Sequence, residues 1–432
     1  MAEACEKITD GTHHSPPNRP RGAFKYITAK NIRPSGLDLT DISYVDADVH
    51  AEIFSRCPVE KGDVLYIKDG VTTGVAINNP LEEPFSMLSS VALLKPDRRL
   101  LDESFLRYWL NSPETVASLV GRMTGSAIRR LTLTSISNQA IPLPPIAEQR
   151  LIVKKLKTLN AYLSSGRAEL ERIPLLARRY KEVLLDAAVT GRLTMEWRRL
   201  NGVGSHWPRA ALGSLAQDVR YGTAVKCSYA PEKTPVLRIP NISSGRIDTN
   251  DLKHAAFDRN EIEKLALRAG DLLVIRSNGS VSLVGRTAVA TSAVEGYLFA
   301  GYLIRIRLDQ EQVRPTYINL AFAASSTRSM IESLARSTSG VNNINSEQLK
   351  SLIFAVPGLA EQDEIARVLE EAFEEVDKVV IEAQSAVRQI AHLNRSILSR
   401  AFRGELVRQN ASNGAVNVRF QKDAGPPGDS SA

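Results

Sequence analysis

The chain has 432 residues, of which 43% are hydrophobic and 24% are charged, and its net charge is +7. This composition is that of a globular protein and excludes a fibrous or wholly disordered chain; the length predicts roughly two to four domains. No apolar run approaches the roughly 20 residues of a membrane span, and the polar start lacks a signal-peptide core. The scattered Cys5, Cys57 and Cys227 exclude a disulfide framework. We therefore expect a cytoplasmic protein without a membrane partner.

In chain order, the sequence predicts a variable unit, a long helix, a second variable unit and a second long helix. The expected boundaries are 1–145, 146–200, 201–357 and 358–408, followed by a polar tail, 409–432, that we expect to be disordered. Each variable unit contains a short β-rich run after a Gly-Asp turn, GDVLYI or GDLLVI, and helical stretches that begin at Glu103 and Pro315. The variable units are therefore expected to be α/β (α+β) domains.

The second half of the chain repeats the first. The triplet Ala147-Glu148-Gln149 recurs as Ala360-Glu361-Gln362, and the same offset of 213 residues aligns Gly191 of LLDAAVTGRL with Gly404 of ILSRAFRGEL. The matches ITDGT/VRYGT and GDVLYI/GDLLVI follow at slightly smaller offsets. Several ordered matches at nearly one offset indicate internal duplication.

Both long helices carry a hydrophobic stripe that repeats every 3.5 residues, from Ile152 to Ala187 and from Ile365 to Ile397. This period is typical of a coiled-coil seam, and the shared register favours pairing of the two helices with each other. Pro174 should interrupt and kink the first helix, because proline removes one backbone hydrogen bond. From about Ala147 to Thr190 that helix would be roughly 65 Å long at ~1.5 Å per residue.

No motif for catalysis is present. The sequence has no phosphate-binding GxxxxGK[ST] loop, no GxSxG, no HExxH and no clustered Cys/His ligands. His13-His14 is the one histidine pair, and a polar loop explains it better than a metal site does. We therefore expect no catalytic residue, no metal and no cofactor.

The order and duplication of these segments resemble the specificity subunit of type I restriction–modification systems. The residues that carry the resemblance are ITDGTHHSPP, the GDVLYI/GDLLVI runs, IPLPPIAEQ with its second copy AVPGLAEQ, and the two glycine-ended helix exits. The resemblance implies two target-recognition domains in a pseudo-two-fold arrangement, each reading one half of a split, asymmetric DNA sequence. It also implies that the long helices form an antiparallel coiled coil, separate the two domains and dock two modification (methyltransferase) subunits, with or without restriction subunits. The chain itself would not be an enzyme.

Two features depart from the family pattern or complicate it. The first copy has no partner for the lead-in Trp207-Pro208 of the second, so either its domain lacks an edge strand or the N-terminus is truncated. Residues 1–145 carry 16 basic and 17 acidic side chains, net −1, although DNA-binding domains usually have a basic face. We therefore expect weak DNA binding by the chain alone and tight, specific binding in the complex.

Candidate DNA contacts are chosen by residue type and loop position, because arginine can read guanine and asparagine adenine through paired hydrogen bonds. In the first domain they are Thr12, His13, His14, Arg19, Lys25, Lys30, Arg33, Lys68, Arg122, Ser126, Arg129 and Arg130. In the second they are Tyr221, Thr223, Lys226, Arg238, Arg276, Asn278, Arg286, Asn342 and Asn343. Helix start and subunit docking are assigned to Ala147, Glu148, Gln149, Ala360, Glu361 and Gln362.

Two other functions compete with DNA recognition on the sequence alone. The first is a coiled-coil scaffold whose α/β domains bind proteins. The second is an enzyme with an unrecognised nuclease or methyltransferase site.

Overall fold

The computed structural model of the chain describes residues 1–123, 130–335 and 340–407. The predicted DNA contacts Ser126 and Arg129 and the predicted tail, 409–432, lie outside these described residues. Two compact units are present: unit 1 consists of Met1–Glu171 with the chain from Gln384 onward, and unit 2 consists of Arg172–Ala383. Each long helix contributes one part to each unit. No helix in the described ranges is long and apolar enough to cross a membrane.

Unit 1 contains nine strands and four short helices among its described residues. The strands are β1 (Cys5–Asp10), β2 (Phe24–Ile27), β3 (Ile32–Arg33), β4 (Gly36–Leu37), β5 (Ser43–Val45), β6 (Val64–Ile67), β7 (Ala76–Asn78), β8 (Ser86–Met87) and β9 (Val91–Pro96). The helices are α1 (Ala47–Arg56), α2 (Glu103–Leu110), α3 (Pro113–Gly121) and α4 (Leu133–Ser137), with 3-10 turns at Ala2–Ala4 and Ala29–Asn31. The long helix α5 (Ile146–Val189) begins in this unit.

Unit 2 repeats this series of elements after the end of α5. Its strands are β10 (Arg209–Ala211), β11 (Ala216–Tyr221), β12 (Thr234–Leu237), β13 (Lys253–Ala255), β14 (Leu272–Ile275), β15 (Ser277–Asn278), β16 (Thr287–Val289), β17 (Leu298–Phe299), β18 (Leu303–Leu308), β19 (Asn342–Asn343) and β20 (Ile353–Ala355). Its helices are α6 (Met195–Asn201), α7 (Leu212–Leu215), α8 (Ile239–Ile242), α9 (Arg259–Leu265), α10 (Pro315–Ala323), α11 (Ser325–Ala335) and α12 (Ser346–Lys350), with 3-10 turns at Val281–Leu283 and Ser292–Val294. The long helix α13 (Leu359–Phe402) follows.

The two larger sheets of each unit have the same topology. Unit 1 has a four-stranded antiparallel sheet in the order β1-β9-β6-β7 and unit 2 has one in the order β11-β18-β14-β16. The three-stranded sheets β5-β2-β8 and β13-β12-β17 also correspond, each with one antiparallel and one parallel pair. Even the irregularity recurs, since the first strand shifts register between Cys5 and Lys7 and again between Ala216 and Asp218. Duplication of the mixed α/β fold is confirmed.

Unit 2 has one strand pair without a counterpart among the described residues of unit 1. Strand β10, which follows Trp207-Pro208, pairs antiparallel with β20. In unit 1 the terminal amine of Met1 donates to the carbonyl of Gln139 at 2.9 Å instead. No strand equivalent to β10 is thus present among the described residues of unit 1.

The predicted β-rich runs are strands buried on both faces. In β6, Val64 and Tyr66 pack into one apolar cluster, while Leu65 and Ile67 pack into another on the opposite side of the sheet. Strand β14 divides its side chains in the same way. Because successive side chains of a strand point to opposite faces, burial of both faces explains why these runs are continuously apolar rather than alternating.

The helical stretches are confirmed, but each consists of two helices. The stretch from Glu103 is divided before Pro113, because a proline has no N–H to donate and disfavours helical backbone at the residue before it. The stretch from Pro315 is interrupted at Ala324, whose backbone is extended. In contrast, α5 continues through Pro174 without a break, so the predicted interruption at that residue is absent.

Both long helices enter the core of each unit. In unit 1, the start of α5 (Ile152 and Leu156) packs in the same apolar cluster as the end of α13 (Leu398 and Ala401). In unit 2, the last turns of α5, with Leu185 and Ala188, pack in the cluster that holds the first turns of α13, with Ile365 and Leu369. Each globular core is therefore completed by segments of both helices.

Candidate nucleic-acid interface

In unit 2, three segments far apart in sequence meet where two strands of the four-stranded sheet end. Tyr221 is the last residue of β11 and Arg276 follows β14; both strands flank β18. The chain then returns beside them, because the Ile344 N–H donates to the Arg276 carbonyl at 2.8 Å and β15 pairs with β19. We call this cluster the strand-end site of unit 2. It brings together the predicted contacts Tyr221, Arg276, Asn278, Asn342 and Asn343.

The side chains of this site hold a cation against an aromatic ring. The guanidinium carbon of Arg276 lies 4.8 Å from the centre of the Tyr221 ring. The Tyr221 hydroxyl donates to Ser346 Oγ at 3.1 Å and accepts the Ser346 N–H at 2.9 Å. Burial alone would raise the pKa of Tyr221, but the bonds with Ser346 and the charge of Arg276 outweigh it and lower that pKa below its ordinary value. The ring is thus fixed at both its edge and its face.

The asparagines at the strand-end site order the adjacent loop. Asn278 accepts the Ser280 N–H on its side-chain oxygen at 2.8 Å, and Asn342 donates its amide to the Gly279 carbonyl at 3.0 Å. Asn343 is exposed and pairs through its backbone with Ser277. Polar side chains therefore line the approach to Arg276.

Unit 1 has the same backbone arrangement with different side chains. Asp10 ends β1, Lys68 follows β6, and the Leu131 N–H donates to the Lys68 carbonyl at 2.9 Å. Asp69 and Arg130 form the bridge that corresponds to the pairing of β15 with β19. We call this cluster the strand-end site of unit 1.

In the strand-end site of unit 1, the cation Lys68 is paired with carboxylates rather than stacked on an aromatic ring. Lys68 Nζ lies 3.4 Å from a carboxylate oxygen of Asp10 and 3.3 Å from one of Asp69, and Lys68 is buried. Asp10 is also contacted by His13 Nε2 at 3.2 Å and by Arg56 Nη2 at 3.3 Å. Sequence reasoning did not select Asp10, Arg56 or Asp69, although aligning ITDGT with VRYGT places Asp10 at the position of Tyr221.

The glycine shared by ITDGT and VRYGT is required for a steric reason. A Cβ added to Gly11 would lie 1.9 Å from the Met87 carbonyl oxygen, and one added to Gly222 would lie 2.2 Å from that of Phe299. Side-chain atoms do not approach a backbone so closely, so only glycine lets this segment cross its neighbour. The predicted contacts Thr12 and Thr223 follow these glycines and are buried.

The remaining predicted contacts of unit 1 lie on other parts of its surface. Several already have carboxylate partners: Arg19 with Asp46 at 3.4 Å, Lys25 with Glu83, Lys30 with Asp41 at 3.0 Å and Arg33 with Asp38 at 3.9 Å. His14 Nδ1 is 3.1 Å from the Thr12 hydroxyl, and Arg122 is exposed. No cluster of three or more His, Cys, Asp or Glu suited to a metal occurs among residues 1–123, 130–335 and 340–407.

The remaining predicted contacts of unit 2 are also separate from its strand-end site. Arg238 pairs with Asp251 at 2.8 Å. Arg286 donates to the carbonyls of Ser282 and Ser243 at 3.1 and 2.9 Å. Lys226 is exposed.

The glutamine of each Ala-Glu-Gln triplet fastens a long helix to its unit. Gln149 accepts the Asp102 N–H at 2.9 Å and donates to the carbonyls of Leu100 and Pro144, both at 2.8 Å. Gln362 makes the same three bonds in unit 2, to Arg314, Gln312 and Pro357, at 2.7, 3.2 and 2.7 Å. Neither glutamine is exposed to solvent.

The glutamates of the two triplets differ. Glu361 is buried and accepts hydrogen bonds from Arg198 and Thr194, both at 2.6 Å, and from the Trp207 indole at 3.0 Å. Glu148 is only half-buried, and Ala147 and Ala360 are exposed. The residues Arg198 and Trp207 come from the segment between the two copies, and within the described residues this network is seen at the second triplet.

The sequence and fold were compared with known proteins. Residues 9–173 and 209–383 each match the model of the family described as Type I restriction modification DNA specificity domain. The chain is 30% identical over 386 residues to the Type I restriction enzyme EcoKI specificity subunit of Escherichia coli (strain K12). The aligned region covers 89% of this chain and 82% of that protein. It is 29% identical over 385 residues to the StySPI specificity subunit of Salmonella potsdam, with the same shares.

Two solved structures share the fold. The HsdS subunit from Thermoanaerobacter tengcongensis superposes with a TM-score of 0.59 at 17% identity, covering 94% of this chain and 95% of that one. A chain from a structure concerned with complex assembly and conformational transition of the type I R-M system has a TM-score of 0.64 at 17% identity, covering 94% and 96%.

Proposed function

The chain belongs to the family of type I restriction–modification DNA specificity domains, and from this membership we propose that it reads a bipartite, asymmetric DNA target, one recognition domain to each half-site. Membership confirms the resemblance found in the sequence, and with it the prediction of a specificity subunit that is not itself an enzyme. The proposed recognition domains are residues 1–145 and 201–357.

One observation carries this proposal: the two strand-end sites have the same backbone and unlike side chains. Where unit 1 places Asp10 and Lys68, unit 2 places Tyr221 and Arg276. Arg276 retains donors that can bond guanine, whereas Lys68 is already paired with Asp10 and Asp69, so the two sites would favour different bases. Two domains with equivalent backbones and different side chains at this site suit a target whose two halves differ in sequence.

The two long helices are proposed to pair as an antiparallel coiled coil between the recognition domains. In unit 1, Gly166 faces Ile390, because a Cβ added to Gly166 would lie 4.0 Å from Ile390 Cδ1. In unit 2, Lys181 Nζ donates to Asp377 Oδ1 at 2.7 Å. Within each unit, positions nearer the end of α5 pack with positions nearer the start of α13. This order is what antiparallel neighbours require.

The same helices are proposed to dock two modification (methyltransferase) subunits, with restriction subunits as further possible partners. On α5, the side chains of Leu176, Tyr180 and Val183 are exposed and fall on one helical face. Exposed apolar stripes of this kind mark protein–protein contacts. The buried Gln149 and Gln362 serve the helix start, which leaves docking to the exposed positions.

The test is to map methylated bases across the genome of the host with and without this gene. We expect an asymmetric motif, with two specified parts and an unspecified gap, to lose its methylation when the gene is absent. Methylation that is unchanged, or a lost motif that is continuous and palindromic, would contradict the proposal.

A further inference from the structure

We propose that Arg276 is a specificity-determining residue that reads one guanine in the half-site recognised by the second domain. The inference rests on the proposed function, and it goes further by naming the reader and its base. Its basis is the contrast between the two strand-end sites.

Arg276 has hydrogen-bonding capacity that the protein does not use. Among the described residues, its one side-chain bond is a long one, from Nη1 to the Gly301 carbonyl at 3.4 Å, and its Nε is buried without a partner there. No carboxylate in the described part of the chain pairs with it. By contrast, Arg307 and Arg314 in the same unit each make two bonds to a carboxylate, on Asp271 and Asp363.

The guanidinium of Arg276 is also held in a defined orientation. Its backbone is fixed on both sides, since its N–H donates to the Tyr302 carbonyl at 2.9 Å and its carbonyl accepts the Ile344 N–H at 2.8 Å. The Tyr221 ring covers one face of the guanidinium, and Ser346 anchors the ring. A planar group held in this way loses little rotamer freedom when it makes two parallel bonds to guanine O6 and N7.

Lys68 occupies the corresponding position in unit 1 and shows what a purely structural cation looks like. It is buried and lies between two carboxylates. The charge of Lys68 is thus paired with carboxylates inside the protein, whereas no carboxylate among the described residues pairs with Arg276. The same position is therefore a reader in one domain and a support in the other.

The experiment uses the complex with its modification subunits and duplexes in which each base pair of the second half-site is replaced in turn. For Arg276→Ala we expect discrimination at one G·C pair to fall by about 5- to 140-fold, the range that one bidentate contact supplies, with the other positions unchanged. Replacing that guanine by 7-deazaguanine should weaken the unaltered complex and leave the variant unaffected. Tyr221→Phe, which keeps the ring, should retain more discrimination than Tyr221→Leu.

A control variant separates reading from general effects. Arg259→Ala, at an exposed arginine paired with Glu263, should change neither the melting temperature nor the discrimination at any single base. Uniform weakening by Arg276→Ala across all duplexes, or discrimination retained at every position, would overturn the inference while leaving the proposed function standing. A complex of the unaltered chain that shows no sequence preference would overturn both.

Discussion

Replacing Gln149 by leucine should destabilise unit 1 by about 3–5 kcal/mol. The side chain is fully buried and makes three hydrogen bonds of 2.8 to 2.9 Å. Each such bond contributes about 1 kcal/mol net, and the variant also leaves the Asp102 N–H and two carbonyls buried without partners, at about 1–3 kcal/mol for an unsatisfied donor. Leucine has a similar volume, so the loss comes from the hydrogen bonds rather than from a cavity.

Hydrogen exchange followed by mass spectrometry is the suitable assay, because it measures the two units separately. Peptides that cover residues 97–110 should exchange about 140- to 4,000-fold faster in Gln149→Leu, since each 1.4 kcal/mol is a factor of ten. Peptides that cover 307–320 should respond in the same way to Gln362→Leu, because Gln362 makes the equivalent bonds.

The matched control is Gln384→Leu, an exposed glutamine on α13 within unit 1. It should leave the exchange of both sets of peptides unchanged. A loss below about 1 kcal/mol in Gln149→Leu, or an equal loss in the control, would refute the assignment of Gln149 as the fastening of the helix start.

Three other outcomes are expected. Inserting four residues, about one helical turn, into both long helices should change the preferred gap between half-sites in methylation mapping, and an unchanged gap would contradict a spacer role. Arg198→Met should destabilise unit 2 by about 3–5 kcal/mol in urea denaturation, because it leaves the buried Glu361 without its cation; an effect no larger than that of Arg259→Met would argue against this. Burial lowers the pKa of His50, so below about pH 6.5 the unfolded chain binds more protons, and the stability of unit 1 falls as the pH drops from 7 to 5. His50→Gln should lose that part of the pH dependence and His206→Gln should keep it.

Much of the architecture follows from local pattern. The runs GDVLYI and GDLLVI are continuously apolar and bounded by turns, and they form β6 and β14. The Ala-Glu-Gln triplets mark the first turns of both long helices, which begin at Ile146 and Leu359. Local signals suffice here because burial of a strand or a helix face is written in the residues of that element itself.

The residues of the candidate site were harder to predict from local sequence patterns. Residue type alone selected Lys68 and Arg276 on equal terms, as basic residues after a strand. It missed Asp10 and Asp69, which lie beside Lys68, because the residue types chosen as DNA contacts did not include carboxylates. Among the residues that it selected, it could not separate Arg276 from Arg238, which is paired with Asp251.

The sequence by itself determined that the chain is duplicated, that each copy contains a β-rich run after a Gly-Asp turn, and that a long helix follows each copy. Only the tertiary structure decided which cation is neutralised and which retains its donors. Lys68 meets Asp10 from a strand 58 positions earlier in the chain, and Arg276 meets Tyr221 across 55 positions. Such partners are chosen by the register and order of strands, and therefore by the packing of the whole unit, rather than by any pattern within the segments that carry them.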